Sequence, residues 1–186
     1  MKMRLFTAID LPGDLLGNLE RLIESLRPAA RLKWSPAANL HITLKFIGGW
    51  PEERLEDLRA ALAGVRFEQP IAVEIRGLGF FPDPRSPRIF WAGVSAGPEL
   101  AALAGQIERA LEPLGVEREK RAFSPHLTLA RIPEPVPLGR LRREITASEP
   151  AGFGGFLARR FCLYRSRPGP AGSVYTRVAE FPPGCR

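Results

Sequence analysis

The chain has 186 residues, 45% of them hydrophobic and 25% charged, a balance that excludes a disordered polypeptide and can bury a substantial core. Its formal net charge is +7, and 23 of its 27 basic residues are Arg, with Lys only at positions 2, 33, 45 and 120. Guanidinium pairs with phosphate oxygens, so the surface suits polyanions, although an Arg-rich composition does not by itself establish RNA binding.

The opening RLFTAIDL reads as a buried strand, cut short at Asp10 and Pro12 and so too brief for a signal peptide. The next segment, PGDLLGNLERLIESLRP, places Leu15, Leu19, Leu22, Ile23 and Leu26 on one helical stripe between Pro12 and Pro28. RLKW and HITLKFIG read as strands around the turn-prone SPAAN. PEERLEDLRAALAGV then carries Leu55, Leu58, Leu62 and Val65 at helical spacing, with acidic residues in its first turn.

IAVEIRGLGFF and PRIFWAGVSAG read as a hairpin closed by PDPRSP. A third helix follows in PELAALAGQIERALEPLG, with Leu100, Leu103, Ile107, Leu111 and Leu114 on one face. HLTLARI is the next strand, the Pro-rich PEPVPLGRLRREI is expected as a surface loop, and RFCLYRSR with SVYTRVAEF forms a second hairpin around PGPAG. Hairpins recur where a doubly wound sheet needs crossover helices, so the expected fold is α+β with largely antiparallel sheets. No segment reaches the about 18 apolar residues of a membrane span. Cys162 and Cys185 form neither a metal-type spacing nor a disulfide framework, so the expected compartment is the cytoplasm.

The only two histidines, His41 and His126, stand in one frame: His, aliphatic, Thr, Leu. Each motif follows a Ser-Pro pair, Ser35-Pro36 or Ser124-Pro125, and each half contains a long helix, which points to an internal duplication. Strand alternation places His41 with Thr43, and His126 with Thr128, on one face; Ile42, Leu44, Leu127 and Leu129 anchor the other. Side by side, two such strands make a cleft of two imidazoles and two hydroxyls. One neutral and one protonated imidazole suit acid–base chemistry on a phosphate ester, and Thr hydroxyls can donate to the non-bridging oxygens. A metal site is the weaker reading, because two histidines need a third ligand and no acidic residue repeats with the motifs.

RLFTAIDLP, LKWSPAANLHITLKFIG, FSPHLTLARI and LYRSRPGPAGSVYTRV resemble the RNA 2′,3′-cyclic phosphodiesterases, or 2′-5′ RNA ligases, of the two-histidine phosphoesterase superfamily. The resemblance implies one two-lobed unit over residues 1–186, with two antiparallel sheets related by a pseudo-twofold axis, helices on the outer faces and a central cleft. It implies cofactor- and metal-independent opening of a terminal cyclic phosphate to a 2′-phosphomonoester, and in some members reversible, ATP-independent 2′-5′ joining. By the same resemblance His41 is the acid, His126 the base, Thr43 and Thr128 bind phosphate, and Arg131 contacts it as well. Alternation alone aims Arg131 away from His126 unless the strand ends or bulges, and Phe46 holds the equivalent place in the first motif. The expected partners are RNA ends bearing a cyclic phosphate, such as tRNA fragments, handled by a monomer. A non-catalytic RNA-end binder, or an enzyme for another cyclic or 2′-5′ nucleotide, are the alternatives. Trp34, Phe6 and Tyr175 are candidate base-stacking residues, and Lys45 is expected at the rim of the cleft.

Overall fold

A computed structural model describes residues 1–147, 152–170 and 172–182; Ala171 in the expected PGPAG turn and Cys185 lie outside the described residues. The chain runs β1 (Lys2–Asp10), α1 (Gly13–Leu26), β2 (Lys33–Trp34), β3 (His41–Pro51), α2 (Leu55–Ala63), β4 (Ile71–Phe81) and β5 (Ile89–Ala96). It continues through α3 (Pro98–Leu111), β6 (His126–Arg131), α4 (Gly139–Ala147), β7 (Gly152–Ala158), β8 (Phe161–Gly169) and β9 (Gly172–Phe181).

The strands form two sheets, ordered β3-β1-β8-β9 and β2-β6-β5-β4-β7, and every pairing is antiparallel. In each sheet the order is motif strand, opening strand of the same half, then a strand from the other half: β3-β1-β8 matches β6-β5-β4. The two lobes therefore exchange strands, and the helices cross over too. Helix α1 packs against β7 of the second sheet, whereas α3 packs against β3 of the first. The motif strands β3 and β6, in different sheets, approach each other where the lobes meet.

Local chemistry explains these elements. Leu15, Leu19, Ile23 and Leu26 of α1 are buried at helical spacing, as are Leu100, Leu103, Ile107 and Leu111 of α3; each such side chain contributes about 1.5–3 kcal/mol of burial. In α2 only Leu58 and Leu62 are fully buried, because the helix begins at Leu55 after a 3-10 turn.

Two segments depart from the sequence reading. The expected loop PEPVPLGRLRREI contains α4, which starts after the last of its three prolines and buries Leu141 and Ile145, one turn apart. Strand β7 was not expected, because Gly152, Gly154 and Gly155 weaken strand propensity. It pairs with β4, and a Cβ on Gly155 would stand 2.9 Å from the Val73 carbonyl oxygen, so glycine permits the close approach.

Candidate active site

The fourth residue of each motif, the shared leucine, proves to be an unpaired bulge residue. In the first sheet Ala8 pairs with Thr43 and Thr7 with Lys45, which leaves Leu44 without a partner. In the second, Trp91 pairs with Thr128 and Phe90 with Ala130, leaving Leu129. A bulge of one residue inverts the alternation beyond it. Both motifs accordingly bury two successive residues, Leu44 and Lys45 or Leu129 and Ala130, and expose the next, Phe46 or Arg131. The bulge thus brings Arg131 onto the face of His126 and Thr128, and Phe46 onto that of His41 and Thr43.

Both imidazoles are half-buried and held alike. His41 Nδ1 donates to the carbonyl of Asn39 at 2.7 Å, and His126 Nδ1 to that of Ser124 at 2.8 Å, each two residues upstream. A carbonyl only accepts, so the proton sits on Nδ1, and each Nε2 is left to exchange a proton with a ligand. The two Ser-Pro pairs play different parts. Ser124 orients its own histidine, whereas Ser35 ties the lobes together: its hydroxyl donates to the Thr128 carbonyl at 2.7 Å and its amide to that of Leu129 at 2.8 Å.

Aromatic rings hold the histidines. The Phe6 ring centre is 4.8 Å from His41 and 6.2 Å from Phe46, and Tyr175 meets His41 edge-on at 5.2 Å. Phe81 meets His126 edge-on at 5.0 Å. Of the aromatic candidates, Trp34 packs edge-on against the buried Phe90 and its indole donates to the Ala30 carbonyl, so it belongs to the core. Phe6 is buried beneath His41, and Tyr175 stands at its side.

Lys45 is not at the rim. It is 5% exposed, and its ammonium donates to Glu108 Oε1 and to the Glu117 carbonyl, both at 2.7 Å. The bulge explains the difference, since it turns Lys45 inward toward α3. The Glu119 amide and Lys45 hold the Glu108 carboxyl below its usual range.

Residues with no role in the sequence reading surround His41. Asp10 lies directly across the β1–β3 ladder from it. The Asp10 carboxylate accepts from the Tyr164 hydroxyl and from Arg177 Nη2, each at 2.6 Å. Burial, with Asp10 adding to it, pushes the Tyr164 phenol and the Cys162 thiol each up to about 12, so both stay protonated and Cys162 is no thiolate nucleophile. Burial is also the largest influence on His41 itself and lowers its pKa; the Asn39 bond and the Asp10 charge oppose this, while His126 and Arg131 add to the lowering. His126 and Arg131 are therefore near enough for their charges to be felt at His41. The signal for Asp10 was present: alternation along RLFTAIDL puts Phe6, Ala8 and Asp10 on one face, and only the pairing of β1 with β3 was missing.

Among the described residues, no group of three or more His, Cys, Asp or Glu side chains is arranged to hold a metal ion, and no helix is long and apolar enough to cross a membrane.

The family described as LigT-like phosphoesterase matches residues 9–91 and 93–175, one segment around each histidine motif. Proteins named RNA 2′,3′-cyclic phosphodiesterase from Archaeoglobus fulgidus and Thermus thermophilus are each 34% identical to the chain, over 180 and 186 residues. Those alignments cover 96% of this chain and, respectively, 99% and 89% of the relatives. A solved structure from Thermus thermophilus superposes with a TM-score of 0.80 at 34% identity, covering 96% of this chain and 97% of that one. The structure of E. coli LigT complexed with 3′-AMP superposes with a TM-score of 0.74 at 25% identity, covering 97% of this chain and 98% of that one. The duplicated motifs, the strand-exchanged sheets and these matches converge: the chain belongs to the LigT-like phosphoesterase family.

Proposed function

We propose that the protein hydrolyses the 2′,3′-cyclic phosphate at an RNA 3′ end to a 2′-phosphomonoester, with His41 and His126 as the acid–base pair. The observation that carries this reading is the matched fixing of both imidazoles by Nδ1, which leaves each Nε2 for a ligand on strands that approach each other. The names of the relatives support the substrate class.

In this mechanism His126 Nε2 takes a proton from water, whose oxygen attacks phosphorus as the P–O3′ bond breaks. Protonated His41 delivers its Nε2 proton to O3′, leaving a 3′-hydroxyl and a 2′-phosphate. Thr43 and Thr128 donate to the non-bridging oxygens, and Arg131 meets the charge that develops there. Asp10 supports the acid role of His41, because its charge favours the imidazolium that burial opposes. A bound phosphate supplies the further negative charge that recruits the proton. With an RNA 5′-hydroxyl in place of water, the same pair in the same roles joins the ends: the 5′ oxygen bonds to phosphorus as P–O3′ breaks, and the reverse of that step cleaves the 2′-5′ bond. The proposed setting is a cytoplasmic monomer, with residues 1–186 acting as one two-lobed unit on RNA ends such as tRNA fragments.

The test is to incubate the protein in excess EDTA with an oligonucleotide ending in a 2′,3′-cyclic phosphate and follow phosphorus NMR. The expected product is the 2′-phosphate, absent with His41→Ala and His126→Ala. A 3′-phosphate product, or turnover that survives both substitutions, rejects the reading. Binding without turnover favours a non-catalytic end binder, and turnover only of other nucleotides assigns a different substrate.

A further inference from the structure

Beyond the cleft, the far half of β3 forms one wall of a groove of about 730 Å³ whose other wall is the segment from Leu114 to Arg121, leading toward His126. Phe46 stands where the groove meets the catalytic face: it is 63% exposed, and the bulge turns its ring to the side of His41 and Thr43. An exposed aromatic ring at this place offers a stacking platform for a base. The groove wall from residue 46 to residue 51 extends about 16 Å at the rise of a strand, room for a short stretch of single strand.

The charges in the groove are not spent on one another. Arg118 pairs with Glu112 and Arg54 with Asp57, but Lys2, Lys120 and Arg121 have no ion-pair partner among the described residues. The acidic side chains in the lining are Glu117 and Glu119, so cations predominate. The wall is also preformed. Buried Lys45 donates to the Glu117 carbonyl and to Glu108, which in turn accepts from the Glu119 amide at 2.6 Å. These bonds fasten the basic segment to β3 and α3 without using the three free cations.

We propose that this groove binds the single-stranded RNA immediately 5′ of the reacting nucleotide, with one base stacked on Phe46 and backbone phosphates met by Lys2, Lys120 and Arg121. The inference rests on the phosphodiesterase reading for its direction: a cyclic phosphate ends the strand, so all remaining RNA lies on the 5′ side. The groove then makes the enzyme prefer oligonucleotides to mononucleotides, through backbone charge and stacking rather than base identity.

Two measurements test it. The first compares kcat/KM for a mononucleoside 2′,3′-cyclic phosphate and for a hexauridylate ending in the same group. The expected result is at least a tenfold advantage for the hexamer, most of it lost in the Lys120→Ala, Arg121→Ala double variant while mononucleotide turnover stays within about twofold. The second is fluorescence anisotropy of a 5′-labelled hexauridylate ending in a 2′-phosphate, which needs no turnover. Loss of two phosphate contacts should flatten the log–log salt dependence by about 1.4, and Phe46→Ala should weaken hexamer binding about tenfold or more. Equal losses on both substrates, no length preference in the unaltered protein, or unchanged hexamer binding in the double variant overturns the groove. If no cyclic phosphate is hydrolysed but hexamer binding still depends on Lys120 and Arg121, the groove stands and the catalytic reading fails.

Discussion

The two histidine motifs share one backbone device and differ in what surrounds it. Both place a bulge at the motif leucine and both fix Nδ1 on the carbonyl two residues upstream. Opposite His41, however, the ladder presents Asp10, and opposite His126 it presents Gly93. A Cβ at Gly93 would stand 2.5 Å from the Arg76 carbonyl oxygen, so that position admits no side chain without displacing backbone. Past the bulges, the first motif exposes Phe46 and the second Arg131; within them, the first buries Lys45 and the second Ala130. The two imidazoles are therefore matched and their neighbours are not: a carboxylate that favours the proton lies across from His41, and a guanidinium that would meet phosphate in the proposed reaction shares the face of His126.

The comparison is broken most severely by removing either imidazole. His41→Ala and His126→Ala should each lower kcat on a cyclic-phosphate substrate by about 10²–10⁴-fold, with the double variant little worse than either, since the pair acts as a unit. Steady-state rates with circular dichroism as the folding control check this. Arg131→Met should come next, lowering kcat/KM by about 10–100-fold, the equivalent of about 1.5–3 kcal/mol for a charged hydrogen bond. An effect smaller than threefold would mean that the bulge does not deliver Arg131 to the phosphate.

Lys45→Met tests the buried side of the same bulge. It strips Glu108 and the Glu117 carbonyl of their shared donor and should cost about 1–3 kcal/mol in urea unfolding. The smallest effect is electrostatic and concerns His41. With only two imidazoles, a proton NMR titration assigns both by substitution. His41 should titrate below its ordinary 6.5, and Asp10→Asn should move it lower still by removing a charge that raises it. The unfolded chain binds this proton near pH 6.5 and the folded chain only at lower pH, so stability falls as pH drops below 6.5. A His41→Gln variant should lack that component of the acid sensitivity.

Much of this was legible beforehand, because the strongest signals were periodic or repeated. The amphipathic stripes of α1 and α3 and the two hairpins follow directly from side-chain spacing, and the paired His-x-Thr frames mark the two strands that meet where the lobes join. The rest depended on pairing. Strand alternation predicts faces only while the ladder is regular, so the bulges turned Lys45 inward against its expected place and put Arg131 on the face that only a bulge allows. Asp10 read as the end of an apolar run until β1 was placed beside β3. Helix α4 was masked by the prolines before it, and β7 by glycines that serve its close contact with β4.

The proposed acid and base are separated by a leaving-group substitution. A cyclic substrate whose 3′ bridging oxygen is replaced by sulfur expels a thiolate, which needs far less help from an acid than an alkoxide does. His41→Ala should turn over this substrate at nearly the unaltered rate while His126→Ala remains inactive. Rescue of His126→Ala instead, or equal inactivity of both variants, would contradict the proposed roles.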